Sequence, residues 1–330
     1  MIPHAFESRL SLPAVAAPMF LISSPDLVVE CCSNGVIGSF PALNQRSSEG
    51  FEKWLLDIEA RLQAFEQASG RPAAPFAVNL IVHDTNPRLK PDLELCVKHR
   101  VPLIITSLGI NQEVIDAVHA YGGLVFHDVI MHRHAKKAAD AGVDGLILVS
   151  AGAGGHGGTL NPMAFVSEVR SFYEKTILLS GCISNGRDIA SAMQMGADLA
   201  WMGTRFINTT ESLATAEYRY MINSAGTSDI VYTAAVSGVN ANFLRASLEA
   251  NGITAAQWES RNKVNFGEEM DEARAWKTIW SAGQGVTSIH DVLPAADLIA
   301  RLRGEFHRAI SDQARLMHDY PLDKAQEPSS

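Results

Sequence analysis

Val149-Ser150-Ala151-Gly152-Ala153-Gly154-Gly155-His156-Gly157-Gly158 is the stretch on which the reading of the fold turns. It follows an apolar run at 145–149 and precedes Asn161-Pro162, a pair suited to cap and open a helix. Glycine surrenders side-chain packing so that backbone can reach positive φ or approach a neighbour closely. Five glycines directly after a strand therefore suggest a held ligand, and His156 is the one side chain within 154–158 able to move a proton near neutral pH. Gly152-x-Gly154-x-x-Gly157 also satisfies a dinucleotide fingerprint on paper. That fingerprint needs the glycine turn to run straight into a helix whose N-terminus holds the pyrophosphate. Here the helix start comes later, at Asn161-Pro162, which rejects the Rossmann reading.

Apolar runs and amphipathic stretches alternate on both sides of this loop. Strand candidates are 14–19, 36–40, 76–82, 103–106, 124–127, 145–149, 177–180 and 199–202. Helical spacing marks 51–67, where Phe51, Trp54, Leu55, Ile58, Leu62 and Phe65 recur on one face, and also 91–99, 112–120, 133–141, 162–173 and 186–195. Most successive strand ends fall 21 to 24 residues apart. A βα alternation that counts to eight predicts a closed parallel (β/α)8 TIM barrel, with an open doubly wound sheet as the rival if a strand is miscounted. The glycine stretch is then the sixth βα loop, at the barrel end where active sites are built, and His156 reads as catalytic. Its alternative is a loop histidine that fixes a turn through a carbonyl.

After Met202 the pattern changes. Residues 211–223 are helical, and 224–266 mix glycine, asparagine and aromatics without a strand period. We read 208–275 as a mostly helical insertion over the barrel mouth, 1–207 and 276–318 as the barrel with its terminal helices, and 319–330 as a polar tail.

Composition narrows the function. The 330-residue chain is 47% hydrophobic and 19% charged, enough for a large core, and its net charge is −9 with no block of lysines or arginines. Neither nucleic acid nor an anionic membrane is an expected partner. Four cysteines, two of them adjacent at Cys31-Cys32 in a helical pattern, argue against a disulfide or metal framework and for a reducing, cytoplasmic setting. The segment 12–22 contains Pro13 and Pro18, is too short to span a bilayer, and reads as a first barrel strand rather than a leader.

Further residues gather at strand ends. Ser180-Gly181 and Gly203-Thr204 close the seventh and eighth strand candidates, the pair of loops at which barrels commonly bind phosphate. The glycines would let backbone N–H groups converge on phosphate oxygens, and the hydroxyls would add donors. The bland alternative is two strand caps. His127-Asp128, His132 and His134 match no known metal spacing, and His127 and Asp128 are expected to line the barrel mouth. Asn79, inside an apolar strand, needs a partner, either a ligand or a neighbouring backbone group. Trp280-Ser281-Ala282-Gly283-Gln284-Gly285 reads either as a helix cap or as a loop folding back over the phosphate site.

Together, Ala17-Pro18-Met19, Asn79-Leu80, Ala153-Gly154-Gly155-His156-Gly157, Ser180-Gly181, Met202-Gly203-Thr204-Arg205-Phe206 and Trp280 to Gly285 stand in the order and approximate spacing of a known family. Over about residues 10–310 the chain resembles the nitronate monooxygenases, formerly called 2-nitropropane dioxygenases. The resemblance implies a barrel that binds FMN non-covalently and oxidises alkyl nitronates, or neutral nitroalkanes, with dioxygen. It implies Ala17, Pro18, Met19, Asn79 and Asp128 near the isoalloxazine, and Gly154 and Gly155 beside the cofactor. Ser180, Gly181, Gly203 and Thr204 would hold the phosphate with Gln284 close by, and His156 would be the catalytic base or hydrogen-bond donor. The expected partners are a small-molecule substrate and dioxygen, and a second copy of the chain in a homodimer. The chain departs from the family where Asp128 replaces a frequent lysine, where Cys182 replaces a glycine, and within 237–244. The alternative of the same architecture is an NAD(P)H-dependent flavin reductase of the enoyl-acyl-carrier-protein or quinone type. An aldolase-like or dehydrogenase-like phosphate barrel would need a strand-end lysine or cysteine, and Cys182 is the one candidate.

Overall fold

The computed structural model describes residues 1–236, 238–259 and 278–321. The strands expected from the apolar runs are β1 (Ala14–Ala16), β2 (Ile37–Pro41), β3 (Ala77–Ile81), β4 (Leu103–Ser107), β5 (Leu124–Val129), β6 (Gly145–Val149), β8 (Thr176–Ser180) and β9 (Leu199–Met202). They pair in parallel and close into a barrel, with β1 bonded to both β2 and β9. The first strand is shorter than expected. Ala17 still donates its N–H to the Met202 carbonyl at 2.9 Å, and Pro18, which has no N–H, ends the ladder.

The side-chain period of two sends alternate residues into the barrel. Val15, Ile37, Ala77, Leu103, Ile105, Phe126, Ile147, Leu178 and Leu199 form this inner core. Phe6 of α1 (His4–Glu7) joins them, its ring meeting Phe126 edge-on with centroids 6.5 Å apart. Residues of the other parity pack outward against the helices, so both faces are buried and the strands read as continuous apolar runs. Each fully buried Phe, Leu or Ile contributes roughly 1.5–3 kcal/mol relative to an exposed one.

The outer layer comprises α2 (Pro25–Ser33), α3 (Ser48–Ser69), α4 (Leu89–Lys98), α5 (Gln112–Ala120), α6 (His132–Asp140), α7 (Pro162–Arg170) and α8 (Gly186–Gln194). Ser24, Ser47, Asn111, Asn161 and Asn185 cap five of them by accepting a backbone N–H, each bond contributing about 0.5–2 kcal/mol. The short α9 (Thr204–Ile207) follows β9. After the insertion, α13 (Ala295–Asp319) returns across α8, where a side chain at Gly186 would strike the Leu302 carbonyl.

The described part of the insertion holds α10 (Ala216–Ser224), α11 (Arg245–Ala250) and α12 (Ala255–Glu259). It also holds two strands that the sequence pattern does not announce, β10 (Ile230–Thr233) and β11 (Ala241–Leu244). All four residues of β11 are buried, which erases the alternation a half-exposed strand would display. With the two-residue β7 (Gly155–His156) they form a separate three-stranded sheet. Ser237 and residues 260–275 of the expected insertion, 276–277 of the expected barrel segment, and 322–330 of the expected tail lie outside the described residues. Among the described residues no helix is long and apolar enough to cross a membrane.

Candidate active site

A cavity of about 610 Å³ opens where the loops following β1, β4, β6, β8 and β9 converge. Strand parity decides much of its floor. Residues 79, 107 and 128 share inward parity with Ala77, Ile105 and Phe126, so Asn79, Ser107 and Asp128 form the layer above the apolar core. They are hydrogen-bonded in series. Asn79 Nδ2 donates to Ser107 Oγ at 2.8 Å and to the Ile105 carbonyl at 3.3 Å, and Ser107 Oγ donates to Asp128 Oδ2 at 2.5 Å. Burial pushes the Asp128 carboxyl up from 3.8 to about 6, against the opposing pull of the Ser107 hydroxyl.

His127 does not share this position. One residue earlier on β5, it points out of the barrel, its Nδ1 2.8 Å from Thr106 Oγ1, and burial pushes its imidazole down to about 4. The expectation that both residues line the mouth therefore holds for Asp128 alone. His132 pairs instead with Glu168 at 3.0 Å, and no cluster of three or more metal-ligating side chains occurs among the described residues.

The glycine loop folds against two other segments. Backbone positive φ at Gly152 (82°) and Gly155 (70°) turns the chain so that β7 pairs antiparallel with β11, Ala241 opposite His156 and Asn242 opposite Gly155. Asn242 Nδ2 donates to the Ala153 carbonyl at 2.6 Å, and Tyr232 Oη to the Gly157 carbonyl at 3.0 Å. The exposed ring of His156, which faces the cavity, is thus carried by a sheet that belongs to the insertion.

On the far side of the loop, Gly154 approaches Gly283 so closely that a Cβ would lie 2.8 Å from its nitrogen. Gly283 N–H donates to Thr204 Oγ1 and Gln284 N–H to the Gly152 carbonyl, both at 2.9 Å. The Trp280–Gly285 segment is therefore a loop folded over these glycines. The Tyr218 and Trp280 rings stack with centroids 4.9 Å apart, and Tyr218 Oη donates to the Ser281 carbonyl at 2.5 Å, which fixes the loop to α10.

The loop after β8 is equally constrained. Gly181 has φ of 125°, and a Cβ there would lie 2.5 Å from Ser150 Oγ. Ser150 Oγ in turn donates to the Ser180 carbonyl at 2.6 Å. Cys182 adopts left-handed backbone (φ 59°), unusual for a residue with a side chain, and burial pushes its thiol up.

Of the residues singled out in the sequence, Ala17, Pro18, Met19, Asn79, Asp128, Gly154, Gly155, His156, Ser180, Gly181, Gly203 and Thr204 all line the one cavity. Gln284 does not, although Gly283 and Gly285 beside it do. Arg205 is turned away into an ion pair with Asp291 at 2.6 Å. Sequence reasoning missed Ser107 and Asn242, which touch the residues above. Inward parity with Ile105 was the available signal for Ser107; for Asn242 there was none.

A volume of 610 Å³ falls in the range of cofactor pockets, roughly 300–1,000 Å³. Apolar Pro18, Met19 and Trp201 share it with glycine backbone at which a Cβ would collide, a lining suited to a flat ring system with an anionic tail. Fold and cavity together define a parallel (β/α)8 barrel with a glycine-lined site at the C-terminal ends of its strands. A family profile described as nitronate monooxygenase matches residues 75–305, and the chain belongs to that family of flavin-dependent oxidoreductases. It is 31% identical over 160 residues to a Mycobacterium tuberculosis protein that carries a monooxygenase name, a match covering 48% of this chain and 43% of that protein. It is 22% identical to the nitronate monooxygenase of Paraburkholderia phytofirmans, covering 90% of this chain and 93% of that one. FabK from Thermotoga maritima superposes with a TM-score of 0.76 at 23% identity, covering 94% of this chain and 97% of that one, a likeness of fold.

Proposed function

We propose that this chain binds FMN in the cavity and oxidises nitroalkyl compounds with dioxygen, using His156 as the base. The observation that carries the reading is the meeting, in one cavity, of His156 with the glycine loops after β8 and β9. In this reading Ser180, Gly181, Gly203 and Thr204 hold the phosphate through backbone N–H groups and hydroxyls, since the lining offers no cation for it among the described residues. Ala17, Pro18, Met19 and Asn79 bear on the ring system, and Gly154 and Gly155 let the His156 loop lie close to it. When bound, FMN accepts two electrons from the substrate and passes them to dioxygen.

The chain's own residues contribute proton transfer and orientation. An imidazole nitrogen of His156 takes the proton from the carbon bearing the nitro group, or hydrogen-bonds the nitro oxygens of a substrate already ionised. The hydrogen bonds from Asn242 and Tyr232 hold that loop in register with the inserted sheet. Trp280 and Tyr218, stacked at the cavity wall, help exclude water.

The visible spectrum of the purified protein tests cofactor binding. Absence of flavin bands, with no recovery on adding FMN, refutes the reading. In flavin-loaded protein, rapid anaerobic bleaching by NADH alone would favour a reductase over a monooxygenase.

A further inference from the structure

The described lining of the cavity is electrically one-sided. Among the described residues none that lines it is lysine or arginine, whereas Asp128 brings a carboxyl to the floor. The groups around that carboxyl are known from every neighbouring element. From β4 it receives the Ser107 hydroxyl on Oδ2, Asn79 of β3 braces that serine, and β6 faces it with Ile147 in register. Among the described residues, no other side chain donates a hydrogen bond or an ion pair to Asp128, and Oδ1 is left to whatever fills the cavity.

The other titratable groups of the lining are His156, Cys182 and Tyr218. Burial pushes the Cys182 thiol and the Tyr218 phenol up, so both stay neutral through the physiological range. His134 and Lys137 of α6 act on His127, on the outward side of β5, rather than on Asp128. At the rim, Phe20, Leu108 and Leu213 remain exposed at 41%, 57% and 54%, so the way in is apolar as well.

We infer that Asp128 makes the floor of the site selective for charge, apart from the loops after β8 and β9 that would take the phosphate: it admits there an uncharged substrate with an apolar body, a neutral nitroalkane rather than its nitronate anion, and turns an anionic head group away when ionised. Ser107 and Asn79 are the positioning residues, since they hold the carboxyl toward the cavity. The choice of nitroalkane rests on the function proposed above; the selection by charge rests on Asp128 and the absence of lysine and arginine among the described lining residues. Two like charges within about 8 Å at an effective dielectric near 20 repel strongly enough to weaken binding on the order of tenfold or more.

The test uses two unreactive probes of equal shape, butanoate and butanamide, titrated calorimetrically into the purified protein as isolated. At pH 8 butanamide is expected to bind at least tenfold more tightly than butanoate. The gap should narrow as the pH falls to about 5.5 and Asp128 takes up a proton. Asp128→Asn should bring the two affinities within about twofold at pH 8. Equal affinities in the unaltered protein, a preference that survives Asp128→Asn, or binding of neither probe would overturn the inference. An imidazole in the same lining gains charge as the pH falls, so the series is repeated with His156→Asn; a gap that still narrows there assigns the effect to Asp128 even where Asp128→Asn does not fold, and a gap that stays constant overturns the inference. A protein without flavin that still discriminates the probes would sink the proposed function and leave this inference standing. Flavin-dependent oxidation without discrimination would do the reverse.

Discussion

Replacing Asp128 by asparagine isolates the energetic consequence of a carboxyl in the barrel floor. The side chain keeps its shape and can still accept the Ser107 hydroxyl, which now lies 2.5 Å from Oδ2. What disappears is ionisation. Burial raises this carboxyl from 3.8 to about 6, so the folded state binds a proton that the unfolded chain has released. Well below pH 3.8 both states are protonated and the group costs nothing. As pH rises through 6 the folded state must ionise it, and the full penalty is present above that point. The displacement from 3.8 to about 6 corresponds to about 3 kcal/mol, an upper value because the side chain is only partly buried. For 330 residues the entropy of unfolding is about 0.7 kcal/mol/K, so 3 kcal/mol moves the thermal midpoint by about 4 °C. Midpoints of the two proteins, measured at matched flavin content from pH 4.5 to 8, should therefore diverge. The variant should gain on the parent as the pH rises from 4.5 to about 6, and the gap should level off above that. A constant difference from pH 4.5 to about 6 would refute the reasoning.

Three further perturbations follow from the site. Asn242→Ala removes the 2.6 Å bond to the Ala153 carbonyl that ties β11 to the His156 loop; flavin should be retained while turnover falls about tenfold, as steady-state kinetics would register. Gly181→Ala forces a side chain to φ 125° and a Cβ to within 2.5 Å of Ser150 Oγ, so flavin affinity, measured by equilibrium dialysis, should drop by an order of magnitude or more. Cys182→Gly relieves left-handed strain and should raise stability to urea by about 0.5–1 kcal/mol, the strain released exceeding the entropy glycine adds to the unfolded chain.

The barrel was legible because both faces of its strands are buried. Eight apolar runs at near-constant spacing have few other solutions, and the glycine loop fell at the correct strand end. The candidate site was legible where glycines mark close backbone approach, as at Gly154 and Gly181. What the pattern concealed had physical causes. β10 and β11 are four residues long, and β11 is buried throughout, so no alternation advertises them. The partner that holds the His156 loop, Asn242, is 86 residues away in the chain, a separation local pattern cannot bridge. His127 and Asp128 are neighbours in sequence but face opposite sides of β5, a distinction that counting back to Phe126 would have drawn.

The most direct measurement of the central claim is anaerobic mixing of nitroethane with the flavin-loaded protein and with His156→Asn, followed by flavin absorbance. The account predicts that the parent bleaches, and that the variant, with flavin still bound, bleaches at least a hundredfold more slowly. Equal rates in the two proteins, or a parent that nitroethane does not bleach, would contradict it.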